Sequence, residues 1–121
     1  MKVVVKTYKR SQDIPAEVKG NSLFHSRELF TICEQTPGYT PLLFVAWRSE
    51  RPVGKLLCIV RKSERHFPPS FIKRGEIYGT GEYAPGEHEE SLFKVLLEEL
   101  TRTALDMCFL IEFRNLSNPL F

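Results

Sequence analysis

One stretch constrains the fold more than any other. Between residues 87 and 105, Phe93, Leu96, Leu97, Leu100 and Ala104 recur at helical spacing and form one apolar stripe. Glu90 with Lys94 and Glu98 with Arg102 add i,i+4 pairs in the favourable order. This predicts a long helix. The apolar run at 76–80 before it and the run CFLIEF at 108–113 after it both read as strands. A strand, a long helix and a strand form a crossover unit, which makes the two strands parallel neighbours in one sheet.

The rest of the chain adds antiparallel structure. Residues 3–8 read as an opening strand, bounded by the polar stretch 10–13 and Pro15. A helix is expected over 26–35, with Ser26 as N-cap and Leu29, Phe30 and Cys33 on one face. Pro37-Gly38 ends it. The runs 42–47 (LLFVAW) and 53–61 (VGKLLCIVR) flank Ser49-Glu50-Arg51-Pro52 and predict a hairpin. Residues 62–75, centred on Pro68-Pro69, read as a loop. The fold class expected is mixed α/β: a mostly antiparallel sheet with one parallel strand-helix-strand crossover, in a single domain over residues 1–121.

Composition narrows the function classes. A chain of 121 residues buries roughly two-thirds of its unfolded surface, enough for a core without staples. Its 17 basic and 15 acidic residues create no global field that would favour nucleic acid or an anionic membrane. Cys33, Cys58 and Cys108 lie in separate apolar segments and read as reduced core residues. The start MKVVVKTYKR holds three consecutive apolar residues between lysines, so no signal peptide or membrane span is expected there, and a cytoplasmic location follows. The sequon at Asn115 is discounted for the same reason. His25, His66 and His88 have no metal-ligand spacing, and no Gly-x-Ser-x-Gly elbow occurs, so neither a metal site nor a serine hydrolase is expected.

The junction IYGTGEYAPGEHEE, at 77–90, lies where many enzymes hold phosphate on a helix N-terminus. Gly79, Gly81 and Gly86 miss the GxGxxG spacing, because Ala84 occupies the third position, and no Walker A loop occurs. Glu82, Glu87, Glu89 and Glu90 crowd the helix start, with no lysine or arginine in the local sequence until Lys94. A polyphosphate there would cost about 1 kcal/mol or more per close like-charge contact. The junction therefore reads as a turn capped by its own acids, and no cofactor is assigned to this segment.

Four phrases carry a family resemblance: NSLFHSRELF (21–30), LLFVAWRSERPVGKLLCIV (42–60), the IYGTGEYAPG junction (77–86) and LLEELTRTALDMCFLIEFRNLS (96–117). With the order of elements, they make the chain resemble the first half of a GNAT-like acyltransferase domain, and more narrowly the N-terminal part of proteins related to Fem-type peptidoglycan-bridge aminoacyltransferases. The resemblance implies a long helix crossing between two central parallel strands that diverge at their C-terminal ends. It implies an acyl donor, coenzyme A in acetyl-transferring members and charged tRNA in the Fem branch, and an amine acceptor from cell-wall synthesis. The pyrophosphate-binding pattern Gln/Arg-x-x-Gly-x-Gly/Ala is absent, which fits the Fem branch. The wider fold continues past the equivalent of Phe113. The chain is therefore expected to be a truncated domain or half of a larger transferase, inactive alone, with an uncovered last strand able to pair with another copy.

Candidate site residues lie where the parallel strands end. Tyr78, Glu82 and Tyr83 end one strand; Arg114 and Asn115 end the other. Glu82 is the candidate general base and Arg114 a two-pronged anion holder, with Tyr78, Tyr83 and Asn115 as substrate contacts. The plainer reading is a solvated loop with structural Tyr–Glu or Arg–Glu contacts. Alternation pairs Glu112 with Leu110 and Arg114 and points it to a rim or to solvent. Arg61, Arg65, Lys73 and Arg74, interleaved with Phe67 and Phe71, form a candidate RNA-binding loop; a solvated basic loop is the plainer reading. A non-catalytic binding or dimerisation module, or an RNA-binding module, stands as the alternative to a transferase.

Overall fold

A computed structural model describes residues 3–18, 27–62, 73–78, 81–107 and 109–114, with the backbone alone for Arg27, Lys62, Phe109 and Arg114. In chain order the elements are β1 (Val3–Tyr8), a 3-10 turn (Ser11–Asp13), α1 (Arg27–Glu34), β2 (Tyr39–Arg48), β3 (Arg51–Lys62), β4 (Lys73–Tyr78), β5 (Glu82–Tyr83), α2 (Glu89–Met107) and β6 (Phe109–Arg114). One sheet runs in the order β1-β2-β3-β4-β6, and β5 pairs with β3. All ladders are antiparallel except β4–β6, which is parallel and crossed by α2. The mixed sheet with its single parallel crossover is the fold class the sequence predicts.

The hairpin β2–β3 is the centre of the molecule, because both of its faces are buried. Leu42, Phe44, Ala46, Leu56, Cys58 and Val60 face one side and pack with Ile77 and with Leu92, Leu96, Leu100 and Ala104 of α2. Leu43, Val45, Trp47, Leu57 and Ile59 face the other side and pack with Phe30 and Cys33 of α1 and with Ile14 and Val18. A strand buried on both faces reads as a continuous apolar run, which is why LLFVAW shows no alternation. The buried stripe of α2 is offset slightly from the one read in the sequence. Leu92 is buried, whereas Phe93 and Leu97 flank the stripe and are partly covered. A two-residue turn, Ser49-Glu50, joins the strands, and Ser49 adopts φ 60°. Arg51 and Pro52, expected in the turn, belong to β3, where a bulge beside Trp47 absorbs the extra residue.

A second difference is the start of β4. Residues 73–75 are strand and not loop, because they pair with β3 on one side (Arg61↔Arg74, Lys62↔Lys73) and with β6 on the other. Two-sided pairing outweighs the weak strand preference of a Lys-Arg-Gly sequence. It also sets basic residues opposite one another, a destabilising arrangement unless acids intervene. Glu76 and Glu112 supply them: Arg61 lies 2.6 Å from Glu76, and Arg74 lies 3.8 Å from Glu112.

The 3-10 turn is tied to α1 by one carboxylate. Glu34 accepts hydrogen bonds from the Ser11 amide (3.0 Å) and hydroxyl (2.6 Å). These bonds hold the Glu34 carboxyl below the usual carboxylate range. Because the folded-state value is depressed, the contact stabilises fully above the unfolded value of about 4.3 and is lost as pH falls through the folded value. Glu34→Gln should therefore lower the thermal midpoint near neutral pH, with the gap to the native protein closing between about pH 5 and pH 3. Thermal melts across that range check it; a gap that persists or widens at pH 3 contradicts it.

Candidate functional site

The parallel ladder places the candidate residues. β4 and β6 pair from Lys73↔Phe109 to Tyr78↔Arg114, and the described ladder ends there. The chain then continues along β3 through β5, with Gly54↔Tyr83 and Lys55↔Glu82. Thus β5 stays with β3 beyond the last β4–β6 pair, and the two parallel strands have their C-terminal ends at Tyr78 and Arg114. This is the end of the sheet at which open α/β sheets bind ligands.

Gly81 makes the step from β4 to β5 possible. Its φ is +99°, and a Cβ there would lie 2.7 Å from the Lys55 carbonyl oxygen. Tyr83 then lays its ring on Gly54, where a Cβ would meet the ring at 2.8 Å. Burial, and secondarily the Glu89 carboxylate, push the Tyr83 hydroxyl well above the usual phenol range, so it is a poor proton donor.

Strand alternation divides the candidates between two faces. Tyr83 belongs to the α2 side, in the core cluster with Val53 and Leu92. Tyr78 packs on the α1 side, and Glu82, one residue before Tyr83, points the same way. There, Lys55 is 5% exposed and its Nζ lies 3.1 Å from Glu82. Glu76 is equally buried and is held by Arg61 and by the Tyr78 hydroxyl, which donates to it at 3.1 Å. Glu112, in register with Glu76, lies on the same side beside Arg74. The structure therefore puts Tyr78 and Glu82 on the same face of the sheet as Lys55, Glu76 and Glu112, and Tyr83 on the other face. Arg114 has its backbone opposite Tyr78; Asn115 and Arg65 lie outside the described residues. Lys55 and Glu76 went unremarked in the sequence reading. A lysine in the middle of the apolar run 53–60 was the available signal for the first.

The start of α2 differs from its sequence reading. Glu87 is 12% exposed in its side chain and bridges Arg48 (2.9 Å) and Arg51 (3.3 Å), which arrive from the β2–β3 turn. Glu82 is neutralised by Lys55. The cap is not one of the acids: His88 Nδ1 accepts the Ser91 amide at 3.3 Å and meets the Ser91 hydroxyl at 2.6 Å. Two of the four carboxylates thus have cationic partners more than twenty residues away in the chain. Glu89 and Glu90 remain in the first turn of the helix.

Of the basic residues expected to bind RNA, Arg61 and Arg74 are cross-strand neighbours on β3 and β4, and Arg65 lies outside the described residues. Arg61 and Arg74 engage Glu76 and Glu112, and Lys73 stands in β4. Among the described residues, no group of three or more His, Cys, Asp or Glu is placed to hold a metal ion. Cys58 is buried, and its thiol is pushed up to about 12, so it is no nucleophile. Burial also raises the Cys33 thiol. Cys108 lies outside the described residues. No described helix is long and apolar enough to cross a membrane.

Solved structures with the same architecture are acetyltransferases. An aminoglycoside acetyltransferase from an uncultured soil metagenomic sample, solved with sisomicin, superposes with a TM-score of 0.62 at 15% identity, over 98% of this chain and 79% of that one. A ribosomal-protein-alanine N-acetyltransferase from Brucella melitensis biovar Abortus 2308 gives 0.59 at 12% identity, over 98% and 83%. A predicted acetyltransferase from Clostridium acetobutylicum, solved with acetyl-CoA, gives 0.62 at 9% identity, also over 98% and 83%. At such identities the likeness concerns the fold alone: this chain shares the fold of these acetyltransferases. No protein-family model and no curated protein sequence matches the chain.

Two outcomes follow from this geometry. Gly81→Ala should lower stability by about 1–3 kcal/mol, read as a fall of several degrees in the thermal midpoint. Lys55→Met should destabilise by a similar amount, about 1–3 kcal/mol, because Glu82 is left without its cation. Adding Glu82→Gln to Lys55→Met should recover part of that loss, which a double-mutant cycle by denaturant melts measures.

Proposed function

We propose that this chain is the GNAT-type domain of an acyltransferase related to the Fem aminoacyltransferases, and that it supplies the acceptor-side surface for acyl transfer to an amine. In that reaction the amine nitrogen attacks the acyl carbonyl carbon. The new C–N bond forms, the bond to the donor's oxygen or sulfur breaks, and the ammonium proton passes to a base. The arrangement of Tyr78, Glu82 and Glu112 beside the ends of β4 and β6 carries the reading. Glu82 is the candidate base. Tyr78 and the strand end at Arg114 would position the acceptor, and positioning is the main source of rate in such a reaction. The similar folds of solved N-acetyltransferases support the transfer chemistry.

The donor is the finer point. The absence of the pyrophosphate-binding pattern and the presence of Glu89 and Glu90 in the first turn of α2 favour an aminoacyl-tRNA donor over coenzyme A. The observation favouring coenzyme A is the bridge from Glu87 to Arg48 and Arg51, which places two guanidinium groups near the helix start. Ion pairing of Arg61 and Arg74 with strand carboxylates gives a separate RNA-binding role less support than the transferase.

Calorimetric titration with coenzyme A should give no binding at micromolar ligand, and the full reading frame should transfer an aminoacyl group from charged tRNA to an amine. Glu82→Gln should slow that transfer by roughly 100-fold or more while leaving tRNA affinity unchanged. Micromolar binding of coenzyme A that weakens in Arg48→Gln would replace the aminoacyl donor by an acyl thioester. A Glu82→Gln variant of native rate would remove Glu82 from the chemistry.

A further inference from the structure

A cavity lies at the opposite end of the sheet from the ends of β4 and β6, where no role has been assigned. Its volume is about 260 Å³, and it is lined by Gly38, Tyr39, Thr40, Val60, Arg61, Lys73 and Met107. These residues come from the start of β2, the end of β3, the start of β4 and the last turn of α2. Lys73 begins β4 and Tyr78 ends it, so the cavity and the candidate transfer site are separated by the length of that strand, about 16 Å at 3.3 Å per residue.

The chemistry of the lining is asymmetric. Val60, 3% exposed, and Met107 provide an apolar wall. Thr40 brings a hydroxyl group and Lys73 a positive charge; strand alternation turns the Tyr39 and Arg61 side chains to the opposite face of the sheet, so their polar groups lie away from those two. Arg61 is already matched by Glu76 at 2.6 Å. Lys73 is only half-exposed, and among the described residues it forms no ion pair. Among the described residues no carboxylate belongs to the lining. Among the described residues the cavity thus holds a cation without an ion pair, with a hydroxyl group on one side and an apolar surface on the other.

We propose that this cavity binds a small organic anion, with a carboxylate or phosphate group on Lys73 and the Thr40 hydroxyl and a short aliphatic part against Val60 and Met107. The size sets the class. A cavity of this volume holds the equivalent of roughly eight or nine waters, at about 30 Å³ each. That suits a ligand of few heavy atoms and is below the usual range for nucleotide-sized molecules, about 300–1,000 Å³. The plainer role for Lys73 is to face the carbonyl groups at the end of α2, whose last turn carries no basic residue of its own. Such a role requires no ligand and predicts a stability effect without binding.

Titration of the full chain with inorganic phosphate and, separately, with butyrate distinguishes the two anion sources, followed by NMR shifts of the Thr40, Val60 and Met107 resonances. At least one probe should saturate at millimolar concentration or below. Lys73→Gln should weaken that binding at least tenfold and Thr40→Val several-fold. Lys94→Gln, which removes an exposed cation from the first half of α2, should change it less than twofold. Saturation by butyrate and not phosphate assigns a carboxylate ligand; the reverse assigns a phosphate ligand. Absence of saturable shifts with both probes overturns the proposal. So does binding that Lys73→Gln and Thr40→Val leave unchanged while both variants keep the native fold. Neither result bears on acyl transfer at the other end of the sheet.

Discussion

Everything in this molecule depends on burying the β2–β3 hairpin from both sides. Leu42, Phe44 and Leu56 are fully buried towards α2, and Leu43, Val45 and Leu57 are buried towards α1. Neither helix would hold its position without that shared sheet, since an amphipathic helix takes most of its stability from the apolar face it packs. The two small cores are therefore one cooperative structure, linked through two strands. The polar groups that accompany them, Lys55 and Glu76, are tolerated inside because each finds an opposite charge within about 3 Å, a compensation that burial of an ion requires.

The same burial fixes where chemistry can occur. α1 covers the middle of the sheet at β2, and α2 covers the other face. Beyond α1, the surface of β4 and β6 carries Arg74, Glu112 and an exposed Leu110 in place of a core. The parallel pair thus presents one apolar face, closed by α2, and one polar face that includes Tyr78 and Glu82. A fold of this kind separates the packed side of a strand pair from its polar side, so the polar side can vary without disturbing the core.

Much of this was legible from local patterns. β1 appears at 3–8 as read, α2 is the long helix of the crossover, and the parallel relation of β4 and β6 followed from the length of the connection between them. The short β5 was not legible, because Glu82-Tyr83 is too brief to show a period. Neither was the strand character of Lys73-Arg74-Gly75, whose side chains argue for a loop until neighbours on both sides supply hydrogen bonds. Of the site, the sequence located the strand end near Tyr78 and Glu82 but grouped Tyr83 with them. The Gly81 kink and the Gly54 seat put that ring into the core instead.

The sequence by itself determined the elements and their order, since the 3.6-residue and two-residue periods and the turn residues act over a few neighbours. Only the tertiary structure decided the electrostatics at the start of α2. Read along the chain, Glu82 and Glu87 are unrelieved acids; in the folded molecule they meet Lys55, Arg48 and Arg51. Charge interactions act through space at a few ångströms, and the hairpin that delivers those cations is brought there by core packing, which no local pattern encodes.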